Sequence, residues 1–479
     1  MLELDKVQLE GNCYISLAML YISCIKATEI GPFPQSEMAF RLPFLTHRRY
    51  ALLAAAVVGA TWLWVAREQL YKVHTVLSNL HFSGEAAEVL DVFDFPALES
   101  ESIKSICGDV QWNESVVFTC DESYGGIGNI RNSVLNCVRY AISAGASLVL
   151  PNIVLRDSSD LSHLETGTNA DMSYMFDTQH FLDSIRLSCP RLHIHLSKGD
   201  IKDFEKARNA ISLVPESLVD QVPITGLPDP AAWRGQFYTW LKQFSTPEFA
   251  GPIIVDLGRS YLQYPIYSDG ESFAMSFGSI LKFRSDVRVL ATRALQSLVD
   301  THSLILDLTQ DVHQNAFFGI HLRTEADAVK VWPAQDWVYS SYENQSKIYL
   351  EQAPRSNTSI IYVASGDRNE VAKFAIDASK APNNFKVTTK FDLLKGGDLE
   401  ELQRLAWDQQ ALVDYLVMLK ASDFAGIGHS SFAWNVALKR HVFAKKRDHL
   451  NGPNSLNDEL SVIHGTVREH PEYAACLWP

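Results

Sequence analysis

FFGIHLRTEAD, residues Phe317 to Asp327, is the stretch from which the fold is read. It opens on a short apolar run, Phe317, Phe318, Ile320 and Leu322. Aromatic and β-branched runs of this length are core strands of α/β proteins. The run breaks into charge at Arg323, Glu325 and Asp327. In open α/β sheets ligands sit beyond the carboxyl ends of the strands, so Arg323 stands where a working arginine would. Its planar fork suits a diphosphate, being bidentate and permanently charged. The same residue could instead be spent in an ion pair with Glu325 or Asp327, and this segment alone leaves both readings open.

The strand–loop–helix pattern recurs on either side. Val116 to Cys120 predicts a strand, followed by the glycine loop Tyr124-Gly125-Gly126-Ile127-Gly128-Asn129. Ile130, Val134, Leu135, Val138, Ala141 and Ile142 then keep helical spacing to Gly145, and Ser147 to Leu150 is the next strand. This is one β-loop-α-β unit. The glycines allow a close backbone approach to a ligand and the helix start presents free N–H groups, although a plain tight turn has the same composition. Neither a dinucleotide fingerprint nor GxxxxGK[ST] is present.

Further along, Trp233 to Phe244 and Phe283 to Leu306 are helical, and Ile253 to Leu257 is a strand. Ser359 to Ala364 is another strand, ending in Ser365-Gly366-Asp367 before a helix through Ala378. Leu402 to Leu419 forms one helical stripe with Asp414 facing away from it. Gly428-His429-Ser430-Ser431-Phe432 then leads into a helix over 433–440. Ser430 and Ser431 would cap that helix, and the amides there would point at an anion.

The chain has 479 residues, which predicts two domains plus extras. A net charge of −14 excludes a general nucleic-acid binder. The seven cysteines include no C-x-x-C pair, so a zinc site is not expected. The five after residue 66 are odd in number, leaving at least one outside an intramolecular disulfide. Tyr50 to Ala66 carries no charge, has an aromatic edge and follows Arg48 and Arg49. It predicts a single transmembrane helix over 50–66 with residues 1–49 cytoplasmic, a type II layout. Met38 opens what looks like a complete short tail, so residues 1–37 are expected to be a gene-model artefact. Residues 67–105 are expected to be a stem, 106–312 a first Rossmann-like domain and 313–479 a second. N-x-S/T sequons at Asn113, Asn344 and Asn357 matter only if the chain enters the secretory route.

Four segments in fixed order, GGIGN at 125–129, HLRTEAD at 321–327, YVASGD at 362–367 and Asp414 with Ser430-Ser431-Phe432, resemble the GDP-fucose protein O-fucosyltransferase superfamily. The resemblance covers roughly residues 115–445. It implies a GT-B fold, two Rossmann-like domains facing across a cleft, and inverting transfer of fucose from GDP-fucose to a protein or glycan hydroxyl, in the Golgi or endoplasmic reticulum. No cofactor or metal is implied, and the chain has no D-x-D. Residue by residue, Arg323 resembles the arginine neutralising the β-phosphate of departing GDP. His321 and Asp414 resemble guanine–ribose pocket residues, and Ser430, Ser431 and Phe432 the phosphate turn. Asn129, with Gly125, Gly126 and Gly128, resembles the loop beside fucose, and Asp367 would border the nucleotide. Gly126 takes the place where some relatives carry a loop Glu, which leaves Glu122, or Asp121, as the nearest candidate base. Thr324 departs from the family's commoner aromatic. A catalytically silent GDP-sugar or glycan binder, or a transferase using another GDP-sugar, are the alternative readings.

Overall fold

The structure is a computed structural model that describes residues 91–157, 166–207, 209–244, 251–335, 337–446, 452–467 and 469–479. The expected membrane span, 50–66, lies outside the described residues. Among the described residues no helix is long and apolar enough to cross a membrane. All described residues belong to one compact unit, Glu88–Pro479.

The unit is α/β, with two sheets of predominantly parallel strands. Among the described residues the first elements are helix α1 (Glu101–Asp109), strand β1 (Asn113–Thr119), helix α2 (Ile127–Ala144) and strand β2 (Ala146–Val149). A short antiparallel ribbon follows, β3 (Asn152–Val154) with β4 (Asn169–Asp171). Then come β5 (Ile194–His195), β6 (Ile211–Leu213), helix α3 (Pro230–Leu241) and β7 (Ile253–Leu257). The first sheet runs β5-β2-β1-β7-β6, all parallel. Helix α4 (Ser285–His302) leads to the second half. There the elements are β8 (Phe318–His321), β9 (Ile360–Ala364), helix α5 (Arg368–Lys380), β10 (Lys386–Thr388), helices α6 (Gly396–Arg404) and α7 (Trp407–Leu419), β11 (Asp423–Ile427), helix α8 (Ser431–His441), β12 (Leu456–Asn457) and β13 (Ser461–His464). The second sheet runs β10-β9-β8-β11-β13-β12, parallel except for the last pair.

β8, β9 and β11 are buried along their whole length, as central parallel strands covered on both faces must be. Helix α2 ends at Gly145, whose φ of +68° and returned N–H close the last turn. Leu290, Leu295 and Leu298 of α4 share one core with Leu412, Val413 and Leu416 of α7, so the two halves fuse through these helices. The final residues cross back: Trp478 is fully buried and its indole N–H donates to Asn136 Oδ1 of α2 at 2.8 Å.

Two expectations need correction. The stripe over 402–419 is two helices, because Ala406 is extended at ψ 159° and the Gln409 side chain caps its N–H. Residues 91–105, read as stem, lie on the body. Arg288 reaches Asp91 at 2.8 Å and Asp94 at 3.1 Å, and Ile103 is fully buried. Disulfides join Cys107 to Cys189 and Cys120 to Cys137, and Cys476 is free and buried.

Candidate active site

The C-terminal ends of the central strands of both sheets open on one cavity of about 440 Å³. That is room for a small-molecule ligand. On the first-sheet side the Cys120–Cys137 disulfide ties the end of β1 to the third turn of α2, bracketing the glycine loop between them. Gly125 sits at φ +108°, a conformation side chains resist, and a Cβ there would come 3.0 Å from Asn129 Nδ2. Gly126 is the N-cap of α2 and supplies no side chain, so the positive end of an 18-residue helix faces the cavity open. Asn129, one turn on, also lines the cavity, and its Oδ1 is buried without a partner.

Gly128 has a different task from the one the loop reading gave it. It is a buried helical residue, and a Cβ there would stand 2.6 Å from Ser431 O and from Asn435 Nδ2. Its missing side chain lets α2 and α8 cross in contact, which fixes the two helix N-termini beside each other.

On the second-sheet side Arg323 follows β8. Gln345 pins its backbone, accepting from the N–H at 2.9 Å and donating to the carbonyl at 2.8 Å. The guanidinium faces the cavity and is also ion-paired. Nη1 donates to Glu325 Oε2 at 2.5 Å and Nη2 to Asp327 Oδ2 at 2.7 Å. The ion-pair reading of this residue therefore holds, while its place on the cavity wall is the position the other reading requires. Burial pulls the Arg323 pKa down, but the two carboxylates more than offset it and the net shift is upward. Glu325, itself 8% exposed, accepts from Gly366 N–H at 2.7 Å, which locks the turn after β9 to the turn after β8. Arg156 shares Asp327 at 2.8 Å and lies over the Trp407 ring at 5.7 Å.

His321, at the end of β8, is 3.1 Å from Ser430 Oγ and 4.6 Å from the Phe432 ring. Burial, then the Arg323 charge, lowers its pKa to about 4 against the opposing pull of Glu325, so the imidazole is neutral. Ser430 caps α8 by accepting from Ala433 N–H, and Ser431 and Phe432 bring the first turn to the cavity wall. Asp414 is 3% exposed on α7, paired with Lys390 and accepting from the Tyr362 hydroxyl at 2.7 Å. It is not a solvated helix carboxylate. Burial raises its pKa, and Lys390 and Tyr362 recover part of the shift.

Eight of the residues picked from sequence thus meet on one surface: Gly126, Asn129, His321, Arg323, Asp414, Ser430, Ser431 and Phe432. Glu122 does not join them. It is exposed behind the loop, where its carboxylate accepts from Arg259 N–H at 3.3 Å. Asp121 is held by Lys198 at 2.8 Å and Asn152 at 3.0 Å. Asp367 is the N-cap of α5, accepting from Asn369 and Glu370, and lies off the cavity wall.

The sequence reading missed Arg156, Arg259, Lys390 and His429. Only Arg259 carried a signal, since it follows β7 by two residues as Arg323 follows β8. His429 is 4% exposed with neither ring nitrogen partnered, set 4.1 Å from the Trp337 ring and 4.6 Å from Trp332. Burial, then neighbouring Arg323, drives its pKa down to about 2. Among the described residues no three His, Cys, Asp or Glu side chains gather at metal-binding geometry.

Two largely parallel sheets thus meet over one cavity whose wall carries five cationic and four acidic side chains. Residues 116–443 match the family model described as GDP-fucose protein O-fucosyltransferase, and the chain belongs to that family. Solved structures similar to it include POFUT1 in complex with GDP-fucose, at 15% identity over 75% of this chain and 99% of that one, TM-score 0.42. The fucosyltransferase NodZ from Bradyrhizobium is 13% identical over 68% and 93%, TM-score 0.35. A point mutant of Arabidopsis thaliana FUT1 in complex with GDP is 11% identical over 72% and 73%, TM-score 0.36. No curated protein matches the chain.

Proposed function

We propose that this chain transfers fucose from GDP-fucose to a hydroxyl of a protein or glycan acceptor, with inversion at the anomeric carbon. The observation that carries the reading, beside family membership, is Arg323 facing the cavity with its backbone pinned and its fork held by acidic partners. In the reaction the bond from the anomeric carbon to the β-phosphate oxygen breaks, its electron pair leaves with GDP, the acceptor oxygen bonds to the opposite face, and the acceptor's proton passes to water or to the departing phosphate. Arg323 meets the charge growing on that phosphate. The N-terminus of α8, beside His321, supplies amide donors to the diphosphate, and the Asp414 region receives the guanosine end.

The carboxylates on the cavity wall are all engaged: Glu325 and Asp327 with Arg323, Asp414 with Lys390, and Asp408 with the Tyr174 hydroxyl at 2.7 Å. This favours a displacement in which leaving-group departure runs ahead of acceptor deprotonation, with little demand on a strong base. Glu122 is then a minor contributor at most. The absence of D-x-D motivates a reaction that needs no divalent ion. The apolar run 50–66 and two disulfides in the body support a type II protein of the Golgi or endoplasmic reticulum with a lumenal catalytic part. GDP release from GDP-fucose by wild type and by Arg323→Ala tests the reading. Wild-type turnover that is lost in the variant is expected, and equal rates would remove Arg323 from the mechanism.

A further inference from the structure

Five cations line the cavity: Arg156, Arg259, Arg323, Arg368 and Lys390. Three of them face three carboxylates, Glu325, Asp327 and Asp414, so that part of the wall is neutral. Arg368 is exposed and lies over the Phe391 ring at 4.0 Å. Arg259 is different. Among the described residues no carboxylate pairs with its guanidinium, and Glu122 engages only its backbone N–H. Tyr124 and Tyr261 hold the guanidinium at 4.2 Å and 4.0 Å from their ring centroids. Its Nε is buried without a partner.

Aromatic contacts fix the position of a guanidinium but give its N–H groups no acceptor in the plane of the fork. The plane is therefore left for a ligand oxyanion. The surroundings agree. Nη2 would lie 3.3 Å from a Cβ at Gly125, so the positive-φ glycine leaves room for the arginine over the loop. Gly126 and the uncapped N-terminus of α2 adjoin it on the same wall.

We propose that Arg259 is a second phosphate-binding arginine of this site, contacting the terminal phosphate of the nucleoside diphosphate from the glycine-loop side. It deepens the fucosyl-transfer reading and rests on it. Arg323 arrives already balanced by Glu325 and Asp327, so on the glycine-loop side the unbalanced positive charge for the departing diphosphate comes from Arg259. As the sugar–phosphate bond breaks and its electron pair moves to the phosphate oxygen, Arg259 stabilises the added charge.

The test is calorimetric binding of GDP and GMP to the wild-type chain, Arg259→Gln and Arg259→Lys, with turnover measured alongside. Arg259→Gln is expected to bind GDP about 10- to 100-fold more weakly, the size of one charge-assisted contact. GMP binding should stay within about threefold, because GMP lacks the contacted phosphate. Arg259→Lys should recover part of the GDP affinity and of kcat. Equal losses for GDP and GMP would mean that Arg259 only holds the loop, and would overturn the proposal. So would unchanged GDP affinity with a raised KM for acceptor. A wild-type chain that binds neither nucleotide would overturn the fucosyl-transfer reading itself, whereas binding untouched in both variants would overturn only the role of Arg259.

Discussion

Replacing Arg323 by alanine has two consequences that can be separated. The first is structural. Arg323 is 17% exposed and joins two largely buried carboxylates. Removing one partner of a buried pair costs about 3–5 kcal/mol. The low end applies here, since Asp327 keeps Arg156 at 2.8 Å and Glu325 keeps the Gly366 N–H at 2.7 Å. Unfolding entropy near 2.1 cal/mol/K per residue gives the unit Glu88–Pro479 about 0.8 kcal/mol per kelvin. A loss of about 3 kcal/mol then lowers Tm by roughly 4 °C. The second consequence is chemical. A single donor aimed at a developing oxyanion is worth about 10²- to 10³-fold in kcat, and a two-pronged arginine at least the upper figure. The double variant Arg323→Ala/Glu325→Gln removes the stranded charge while keeping an acceptor for Gly366. It should regain most of the lost Tm and none of the activity. Scanning fluorimetry and GDP release read the two effects on one preparation. Activity returning with stability in the double variant would refute the leaving-group role and leave Arg323 a structural ion-pair residue.

Other substitutions probe the frame around it. Gly128→Ala forces α2 and α8 apart against a backbone oxygen and should cost about 1–3 kcal/mol and weaken GDP binding, as read by urea unfolding and calorimetry. Gly126→Ala meets nothing within 4 Å and should cost only the N-cap preference for glycine, under about 1 kcal/mol, which makes it the control. The folded-state pKa values of His321 and His429, about 4 and about 2, lie below the ordinary 6.5. The unfolded chain therefore binds protons first, and stability falls as pH drops below about 6.5, by up to about 1.4 kcal/mol per pH unit for each histidine. His429→Phe should flatten the Tm-against-pH profile between pH 6.5 and 4, and an unchanged slope would contradict a buried neutral His429. EDTA should leave transfer intact, and restoration of a lost rate by Mn²⁺ would show that a divalent ion takes part.

The sequence made some parts of this site plain and hid others for physical reasons. Arg323, His321 and the Ser430 turn were legible because strand ends and helix starts in parallel α/β proteins leave a local signature of apolar run, then charge or cap. Asp414 was legible as a carboxylate off the apolar stripe, but its burial was not, because Lys390 and Tyr362 come from elements far away in the chain. Arg156 sits on an irregular connection and Lys390 opens a four-residue helix, both too short for any periodicity to be read. Gly128 looked like a loop glycine, yet its purpose is a contact with Ser431, more than 300 residues away, that local spacing cannot encode. The break at 405–406 was hidden because the apolar spacing continues across it, while the Gln409 side chain caps the start of the second helix and Gln410 donates to the Leu405 carbonyl at the end of the first. Glu122 was chosen for proximity in sequence to the loop, and the chain turns it to the outside.

Whether the cavity between the sheets takes GDP-fucose is decided by thermal-shift binding. GDP, GDP-fucose, GDP-mannose and UDP would each be titrated against the chain. A ligand at 100 times its Kd adds about 2.7 kcal/mol to the native state, which for this unit is roughly 3 °C. That rise is expected with GDP and GDP-fucose, and none with UDP at the same concentration. Equal shifts with UDP, or no shift with any guanine nucleotide, would contradict a GDP-fucose site.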